Sequence, residues 1–173
     1  MRNIVFTGFM ATGKTSVGRI VAYRLGLSFV DTDDEILRVT GKTVQEIFDQ
    51  YGSIRFRSEE ALAIKKLSRR EGLVIATGGG AVLNPENVTV LKKNGVLVLL
   101  KTTPEIILSR VNSGRGRPLL ARAGDLGQRI KELMAQREEI YSGAADLEVF
   151  SCEESREEVA VKVINMLRER NYI

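Results

Sequence analysis

Five short apolar runs, separated by segments with helical spacing, constrain the fold of this chain more than any other feature. The runs cover residues 3–7, 27–30, 73–76, 96–100 and 147–150. They are nearly continuous in Val, Ile, Leu and Phe, as in strands that are covered on both faces of a parallel sheet. Strands that alternate with helices in this way predict an α/β fold with right-handed crossovers, in which ligands bind at the carboxyl ends of the strands.

The segments between these runs carry residues that are typical of helices. Asn84-Pro85-Glu86 and Thr103-Pro104-Glu105 each place a capping residue, a first-turn proline and an acid at the start of a helix. Helical spacing also predicts helices over residues 16–25, 128–141 and 155–169.

Two segments interrupt this alternation. Residues 34–70 carry helical patterns without a strand, and residues 112–127 are rich in Gly and Arg with little apolar content. A glycine-flanked loop of this length with arginines is more than a connector needs, so residues 112–127 are expected to form a lid; the alternative is a disordered loop. We therefore expect residues 1–173 to form one domain with these two insertions.

The strongest motif follows the first apolar run directly. It is the phosphate-loop pattern Gly-x4-Gly-Lys-[Ser/Thr], here Gly8-Phe9-Met10-Ala11-Thr12-Gly13-Lys14-Thr15. Its glycines let backbone N–H groups turn inward around a polyphosphate, and the helix that begins near Lys14 adds its positive end. Lys14 can reach the transferred phosphoryl group, and the Thr15 hydroxyl can bind Mg²⁺. The pattern predicts a site for nucleotide phosphates; the alternative is a glycine turn that binds nothing.

Two acids, Asp31 and Asp33, follow the second apolar run. In an extended chain residues i and i+2 point the same way, so both side chains are expected to face the phosphate loop. One would lie near Mg²⁺, through water, and the other would bind a substrate hydroxyl. The alternative is that Asp31-Thr32-Asp33 only caps the helix that begins near Asp34.

Three glycines, Gly78, Gly79 and Gly80, follow the third apolar run. They would let a ligand approach the backbone closely and receive its N–H bonds; the alternative is a flexible turn. In the expected lid, Arg117 precedes a proline and could close over the β- and γ-phosphates, where its charge would stabilise the transition state.

The composition restricts the chemistry. The chain contains no His and one Cys, Cys152, which excludes an intramolecular disulfide, a zinc finger and a serine triad that uses histidine. A catalytic base must therefore be a carboxylate, Lys or Tyr. The net charge of +4 is mild, and the excess of Arg over Lys is typical of small anionic ligands as readily as of a solvated basic surface.

The composition also bears on the class of partner. The positive charge forms no contiguous run and aromatic residues make up 6%, so no nucleic-acid partner is expected. No apolar run approaches the ~18 residues of a membrane span, and strand-like sequence from Ile4 leaves no room for a targeting segment. We expect a cytoplasmic protein without a membrane partner.

Six motifs in this order closely resemble those of the shikimate kinases, and together they span essentially the whole chain. The motifs are Gly8-Phe-Met-x-x-Gly13-Lys14-Thr15-x-x-Gly18-Arg19, Asp31-Thr32-Asp33, Phe56-Arg57-x-x-Glu60, Thr77-Gly78-Gly79-Gly80, Arg117-Pro118-Leu119-Leu120 and Arg137-x-x-x-Tyr141. The resemblance implies an α/β fold of the three-layer P-loop kinase type, similar to that of nucleoside-monophosphate kinases. Its five-stranded parallel sheet would be flanked by helices, with a substrate-binding helical region at 34–70 and the lid at 112–127.

The same resemblance implies an activity and assigns roles to residues. The family transfers the γ-phosphoryl group of MgATP to the 3-hydroxyl of shikimate, on the route to chorismate and the aromatic amino acids. Lys14, Asp33 and Arg117 would be catalytic, with Asp33 as the candidate base, and Thr15 and Asp31 would hold the metal. The ATP-binding residues would be Ala11, Thr12, Gly13, Lys14, Thr15, Ser16, Arg110 and Arg117. The substrate-binding residues would be Asp33, Arg57, Gly78, Gly79, Gly80 and Arg137.

The shikimate site implied by the resemblance has two parts. Arg57 and Arg137 would hold the carboxylate. Val44, Phe48 and Phe56 look like the apolar wall against which the family packs the ring; the same helical spacing is typical of a buried core face.

Two other functions stay open on the sequence alone. A small-molecule kinase of the same fold could act on gluconate or a nucleoside monophosphate, because arginines bind a phosphate as well as a carboxylate. A nucleotide switch could bind phosphate without transferring it, although the chain has no Asn-Lys-x-Asp string that selects guanine. The partners implied by the resemblance are shikimate and ATP, with Mg²⁺ as cofactor, and the protein is expected to be a monomer.

Overall fold

One parallel sheet organises the chain. The computed structural model describes residues 2–112, 126–152 and 154–173. The strands within these ranges are β1 (Asn3–Thr7), β2 (Ser28–Asp31), β3 (Leu73–Ala76), β4 (Gly95–Lys101) and β5 (Leu147–Phe150). All neighbouring strands are parallel, and they lie in the order β2-β3-β1-β4-β5. This confirms the predicted five-stranded sheet; β2 lies one residue later than predicted, and β4 extends one residue further at each end.

Helices connect the strands. Within the described ranges they are α1 (Lys14–Leu25), α2 (Thr32–Thr40), α3 (Val44–Leu67), α4 (Pro85–Asn94), α5 (Pro104–Asn112), α6 (Leu126–Ala144) and α7 (Arg156–Glu169). A 3₁₀ turn over Ala81–Leu83 precedes α4. Helices α2 and α3 fill the segment that was predicted to lack a strand, and α3 is interrupted at Gly52, whose φ is 78°. None of the helices in these ranges is both long and apolar enough to cross a bilayer.

Side-chain caps begin α4, where the sequence predicted a capping residue, and α7, where it predicted the helix alone. The Asn84 side chain accepts a hydrogen bond from the N–H of Glu86, with Pro85 in the first turn of α4. Ser155 and Glu158 form a capping box at α7, in which each side chain binds the other residue's N–H. Such caps pair N–H groups that the helix itself leaves without partners, and so they fix where each helix begins.

Two apolar clusters cover the sheet, one on each face. Val5 and Leu97 point into the cluster shared with α3, α4, α5 and α6, whereas Phe6 and Val98 point into the cluster shared with α1 and α7. Successive residues of a strand face opposite sides of the sheet, so a strand covered on both sides is apolar throughout. The resulting layers of helix, sheet and helix confirm the predicted three-layer architecture.

A buried amide ties the central strand β1 to its neighbour β3 at their amino ends. Asn3 is 1% exposed. Its Nδ2 donates to the carbonyl of Arg70 at 2.8 Å, and its Oδ1 accepts from the N–H of Leu73 at 2.9 Å. The side chain therefore links the start of β1 to the turn that precedes β3.

Replacing this amide is expected to destabilise the sheet. Asn3→Ala lowers the free energy of unfolding by about 2–3 kcal/mol, because it leaves the buried N–H of Leu73 without a partner and removes a bond to the half-buried carbonyl of Arg70. Urea denaturation at neutral pH measures the loss. The control is Asn94→Ala, which removes a 3.2 Å bond to the carbonyl of Ser68 at a half-buried site and costs less than about 1 kcal/mol. Equal losses in the two variants would contradict this role of Asn3.

Candidate active site

The phosphate loop spans the turn from the carboxyl end of β1 to the first turn of α1. Its glycines adopt positive φ angles, 136° at Gly8 and 100° at Gly13, which residues with a side chain rarely adopt. A Cβ on Gly8 would also collide with the carbonyl oxygen of Leu100 in β4. The backbone therefore requires both glycines, and it brings the loop to the N-terminus of α1, where the helix dipole favours an anion.

Lys14 lies across this loop. Its side chain is buried, and its Nζ donates hydrogen bonds to the carbonyl oxygens of Gly8 at 2.9 Å and Phe9 at 2.7 Å. The Thr12 hydroxyl donates to the same Phe9 carbonyl at 2.9 Å. An ammonium group is thus held beside the N–H groups of α1, where it can form charge-assisted hydrogen bonds to a phosphate.

A hydrogen-bonded pair of oxygen ligands lies next to the loop. The Thr15 hydroxyl, in the first turn of α1, donates to Oδ2 of Asp31 at 2.8 Å. Mg²⁺ prefers oxygen ligands, and at phosphate-transfer sites it needs only one or two protein groups besides the phosphates and water. The hydroxyl of Thr15 and the carboxylate of Asp31 therefore fit a magnesium ion that is bound together with a nucleotide.

The backbone around Asp33 differs from the expectation. Asp31 ends β2, but Asp33 already lies in the first turn of α2, so the two residues do not share an extended strand. The prediction that Asp31 and Asp33 lie in one extended segment was therefore wrong, and the helix begins at Thr32 instead of near Asp34. Oδ1 of Asp31 accepts from the N–H of Asp33 at 3.0 Å and caps α2. Capping does not remove either carboxylate from the site, because both line the same cleft.

The environment of Asp33 raises the pKa of its carboxyl group to about 6. The largest cause is the protein packed around the carboxyl group, which removes water from it although the residue as a whole keeps an exposed surface. The negative charges of Asp31 and Glu60 raise the pKa further, and the Lys14 ammonium lowers it in part. A carboxyl group with a pKa just below neutral pH is suited to accept a proton from a hydroxyl.

An ion pair within α3 also faces the cleft. Nη1 of Arg57 lies 2.5 Å from Oε2 of Glu60, about one turn further along the helix. Glu60 is 1% exposed, and burial raises the pKa of its carboxyl group while Arg57 lowers it. The Arg57 side chain remains 38% exposed. The pairing therefore fixes the guanidinium and still leaves part of it open to a ligand.

The three glycines after β3 make room for these charged side chains. A Cβ on Gly80 would lie 2.6 Å from Nη1 of Arg57, and a Cβ on Gly78 would lie 2.7 Å from Oε1 of Glu60. Gly79 lies against the phosphate loop, where a Cβ would be 3.2 Å from a backbone nitrogen. Close approach of neighbouring groups explains the glycines better than a flexible turn does.

Aromatic side chains form one wall of the cleft. The rings of Phe48 and Phe56 lie with their centroids 4.7 Å apart, and both residues line the cleft together with Val44. Phe56 also belongs to a small core cluster with Ile36 and Ile47. The helical spacing was interpreted either as an apolar wall of the site or as a buried core face. Both interpretations describe the same surface, because the side chains of the core cluster continue into the wall of the cleft.

Helix α6 places Arg137 in this part of the cleft and buries Tyr141 next to it. The Arg137 guanidinium lies over the ring of Phe9, 5.7 Å from its centroid. The buried hydroxyl of Tyr141 donates a hydrogen bond to the carbonyl oxygen of Gly79. The helix that follows the predicted lid therefore reaches both the phosphate loop and the glycines after β3.

One cleft of about 680 Å³ joins all of these parts. At its nucleotide end, Nη1 of Arg110 donates to the carbonyl of Ala11 at 2.8 Å. Arg117 and residues 113–125 of the predicted lid lie outside the described residues. Every other predicted site residue lines the cleft: Ala11, Thr12, Gly13, Lys14, Thr15, Ser16, Asp31, Asp33, Arg57, Gly78, Gly79, Gly80, Arg110 and Arg137.

Two buried residues of the site, Glu60 and Tyr141, had no predicted role. The ion pair of Glu60 could have been found from its spacing, because Arg and Glu three residues apart on a helix are neighbours. Tyr141 follows Arg137 by four residues, so the two share a face of α6. Nothing in that spacing indicates the hydrogen bond to Gly79.

The parallel sheet carries a phosphate loop after its central strand and oxygen ligands at the edge strand β2. An arginine-bearing pocket opens into the same cleft. This arrangement defines a P-loop kinase. The chain belongs to the shikimate kinase family, whose model, described as "Shikimate kinase", matches residues 10–168. It is 54% identical over 173 residues to a shikimate kinase of Pelotomaculum thermopropionicum, covering 100% of this chain and 99% of the relative. It is 48% identical over 164 residues to one of Caldanaerobacter subterraneus, covering 95% of each. A solved structure of shikimate kinase from Acinetobacter baumannii in complex with shikimate has a TM-score of 0.93 at 35% identity, covering 98% of this chain and 94% of that chain.

The raised pKa of Asp33 gives the stability of the protein a pH dependence. The carboxyl group has an ordinary pKa of 3.8, and the folded protein raises it to about 6. Ionisation therefore opposes folding, and the stabilisation present below the pKa of the unfolded chain is lost as the pH rises through the pKa of the folded protein. Asp33→Asn removes this loss. The free energy of unfolding of the variant, relative to the original protein, is expected to increase between about pH 4 and pH 7 and to stay level above.

Urea denaturation at several pH values in the presence of EDTA measures this difference. The matched control is Asp34→Asn, because the Asp34 side chain is 69% exposed and its nearest cation, Arg19, is 3.8 Å away. The control variant is measured at the same pH values. A difference for Asp33→Asn that does not change with pH would contradict the raised pKa.

Proposed function

We propose that this chain catalyses the shikimate kinase reaction: it transfers the γ-phosphoryl group of MgATP to the 3-hydroxyl of shikimate and releases shikimate 3-phosphate and ADP, on the route to chorismate and the aromatic amino acids. The observation that carries the proposal is the single cleft that contains both the phosphate loop and an arginine-bearing pocket. Asp33 is close enough to both parts to interact with the charges of Lys14 and Glu60.

The nucleotide binds at the phosphate loop. Backbone N–H groups of residues 11–16 and the ammonium of Lys14 hold the phosphates, and Arg110 lies beside the adenine. Thr15 and Asp31 hold Mg²⁺, which neutralises phosphate charge when it is bound. The positive end of α1 and the position of Lys14 across the loop support this assignment.

Shikimate binds in the part of the cleft formed by α3, α6 and the glycines after β3. Arg57 and Arg137 bind its carboxylate through charge-assisted hydrogen bonds, and backbone groups of residues 78–80 add to them. The ring packs on the wall formed by Val44, Phe48 and Phe56, and Asp33 binds ring hydroxyls. The partial exposure of Arg57 above its buried partner supports this assignment.

The reaction is a direct transfer without a covalent enzyme intermediate, in which position and electrostatics supply most of the acceleration. Asp33 is ionised at neutral pH and accepts the proton of the attacking hydroxyl. Lys14 and Arg117 stabilise the charge on the transferring phosphoryl group, and Arg117 does so from the lid.

The protein acts in the cytoplasm, where ATP is supplied, and as a monomer.

A panel of acceptors tests the proposed function. Release of ADP from MgATP is measured with shikimate, gluconate and nucleoside monophosphates under identical conditions. We expect turnover with shikimate alone. Turnover with gluconate or a nucleotide and none with shikimate would identify a different kinase, and binding of ATP without turnover on any acceptor would favour a nucleotide switch.

The pair of arginines predicts a specific effect on acceptor affinity. Arg57→Lys is expected to raise the KM for shikimate about tenfold or more, because an ammonium cannot replace two parallel charge-assisted hydrogen bonds. Steady-state kinetics measures it, and the KM for ATP changes little. The control is Arg55→Lys: Arg55 lies on the same helix, is 62% exposed and pairs with Glu59. An unchanged KM for shikimate in Arg57→Lys would count against the carboxylate site.

The lid arginine predicts an effect on turnover. Arg117→Ala is expected to lower kcat about 10³-fold, as removal of an arginine finger does, while the Kd for shikimate stays near its original value. Quenched-flow measurement of product formation gives the rate. Arg115→Ala, two residues away, is the control and keeps most of the turnover. Near-normal turnover in Arg117→Ala would exclude this role.

A further inference from the structure

Tyr141 is buried where α6 meets the glycines after β3, and no step of the proposed reaction uses it. Its side chain is 5% exposed, and its hydroxyl donates a hydrogen bond to the carbonyl oxygen of Gly79. Arg137 lies four residues before Tyr141 on α6, and its charge acts on the hydroxyl. Residues four apart on a helix share one face. The hydrogen bond of Tyr141 therefore ties the Gly79 carbonyl to the face of α6 that carries Arg137.

The peptide that follows Gly79 needs such an anchor. Residues 78–80 have no side chains that could hold them by packing, and glycine has the widest backbone freedom. The carbonyl of Gly79 and the N–H of Gly80 belong to one planar peptide and point in opposite directions. A hydrogen bond to that carbonyl therefore fixes the orientation of the whole peptide.

This peptide lies between the two parts of the cleft. On one side, Gly79 is so close to the phosphate loop that a Cβ would be 3.2 Å from a backbone nitrogen and 3.6 Å from a carbonyl oxygen. On the other side, Gly80 is in contact with the Arg57 guanidinium. A change in this peptide would therefore move Gly80 relative to the Arg57 guanidinium.

Packing alone does not explain the hydroxyl. The ring of Tyr141 belongs to the apolar cluster on one face of the sheet, together with residues such as Phe9 and Leu133. A phenylalanine would fill the same space and bury the same ring. The hydroxyl is the part of the side chain that meets polar groups of the site.

We propose that Tyr141 is a positioning residue for the carboxylate of the acceptor. Its hydroxyl holds the Gly79 peptide against α6, so that Arg137 on this helix and Arg57, which lies next to Gly80, face one carboxylate. Without the hydroxyl, acceptor binding weakens while nucleotide binding and turnover are preserved. This inference rests on the proposed function, because the carboxylate belongs to shikimate.

Tyr141→Phe tests the inference by calorimetric titration. The Kd for shikimate is expected to rise roughly five- to tenfold, as the loss of one hydrogen bond in the site predicts. The Kd for MgADP and the kcat at saturation are expected to stay within about twofold, which a general loss of structure would not allow. An analogue whose carboxylate is reduced to an alcohol is expected to bind the variant and the original protein within about twofold of each other.

Two further variants sharpen the test. Tyr23→Phe removes a hydroxyl from a side chain that is 89% exposed on α1, and it is expected to change none of these constants. Replacement of Tyr141 by p-aminophenylalanine keeps the ring and a donor, and it is expected to return the Kd for shikimate to within about twofold of the original value.

Each other outcome overturns the inference. An unchanged Kd for shikimate in Tyr141→Phe overturns it. Equal weakening of the binding of shikimate and of the alcohol analogue overturns it as well, and so does a failure of p-aminophenylalanine to restore binding. If Tyr141→Phe is unfolded, the titration is repeated with saturating MgADP, which stabilises the folded state by mass action; a variant that stays unfolded shows that the hydroxyl serves the fold instead. Original protein that does not bind shikimate refutes the proposed function itself.

Discussion

All strands of the sheet run in one direction, and the rest of the structure depends on this constraint. Parallel strands end at the same edge, so segments that are far apart in the sequence meet there. β1 leads into the phosphate loop, β2 ends at Asp31, and β3 leads into the glycines that approach Arg57. The contact between Gly8 and the carbonyl of Leu100 shows how closely the loop is set against the neighbouring strand. The cleft is therefore a property of the sheet and not of any single loop.

Charge compensation maintains the cleft in the absence of a ligand. Glu60 is buried and its ion pair with Arg57 offsets part of the cost of removing a carboxylate from water. Lys14 rests on backbone carbonyls of the phosphate loop. Both side chains are held in place by contacts within the described residues, and such preorganisation is what electrostatic catalysis needs.

Much of the fold and part of the site could be predicted from the sequence. The strands were found because a strand buried on both faces is a continuous apolar run, and the phosphate loop was found because its glycines are required by the backbone. The helical backbone at Asp33 could not be predicted in this way, because α2 begins directly after Asp31, although both carboxylates line the cleft as expected. The burial of Glu60 could not be predicted either, because a charged residue on a helix is usually solvated. The packing of α3 against residues 78–80 encloses this one. The role of Arg117 stays a prediction.

The most direct test of the central claim is a crystal structure of the protein with Mg²⁺, a non-hydrolysable ATP analogue and shikimate. We expect both ligands in the one cleft. The carboxylate of shikimate binds Arg57 and Arg137, and its 3-hydroxyl oxygen lies about 3–3.5 Å from the γ-phosphorus, in line for transfer. Ligands in separate cavities, or an acceptor turned with its carboxylate away from the two arginines, would contradict it.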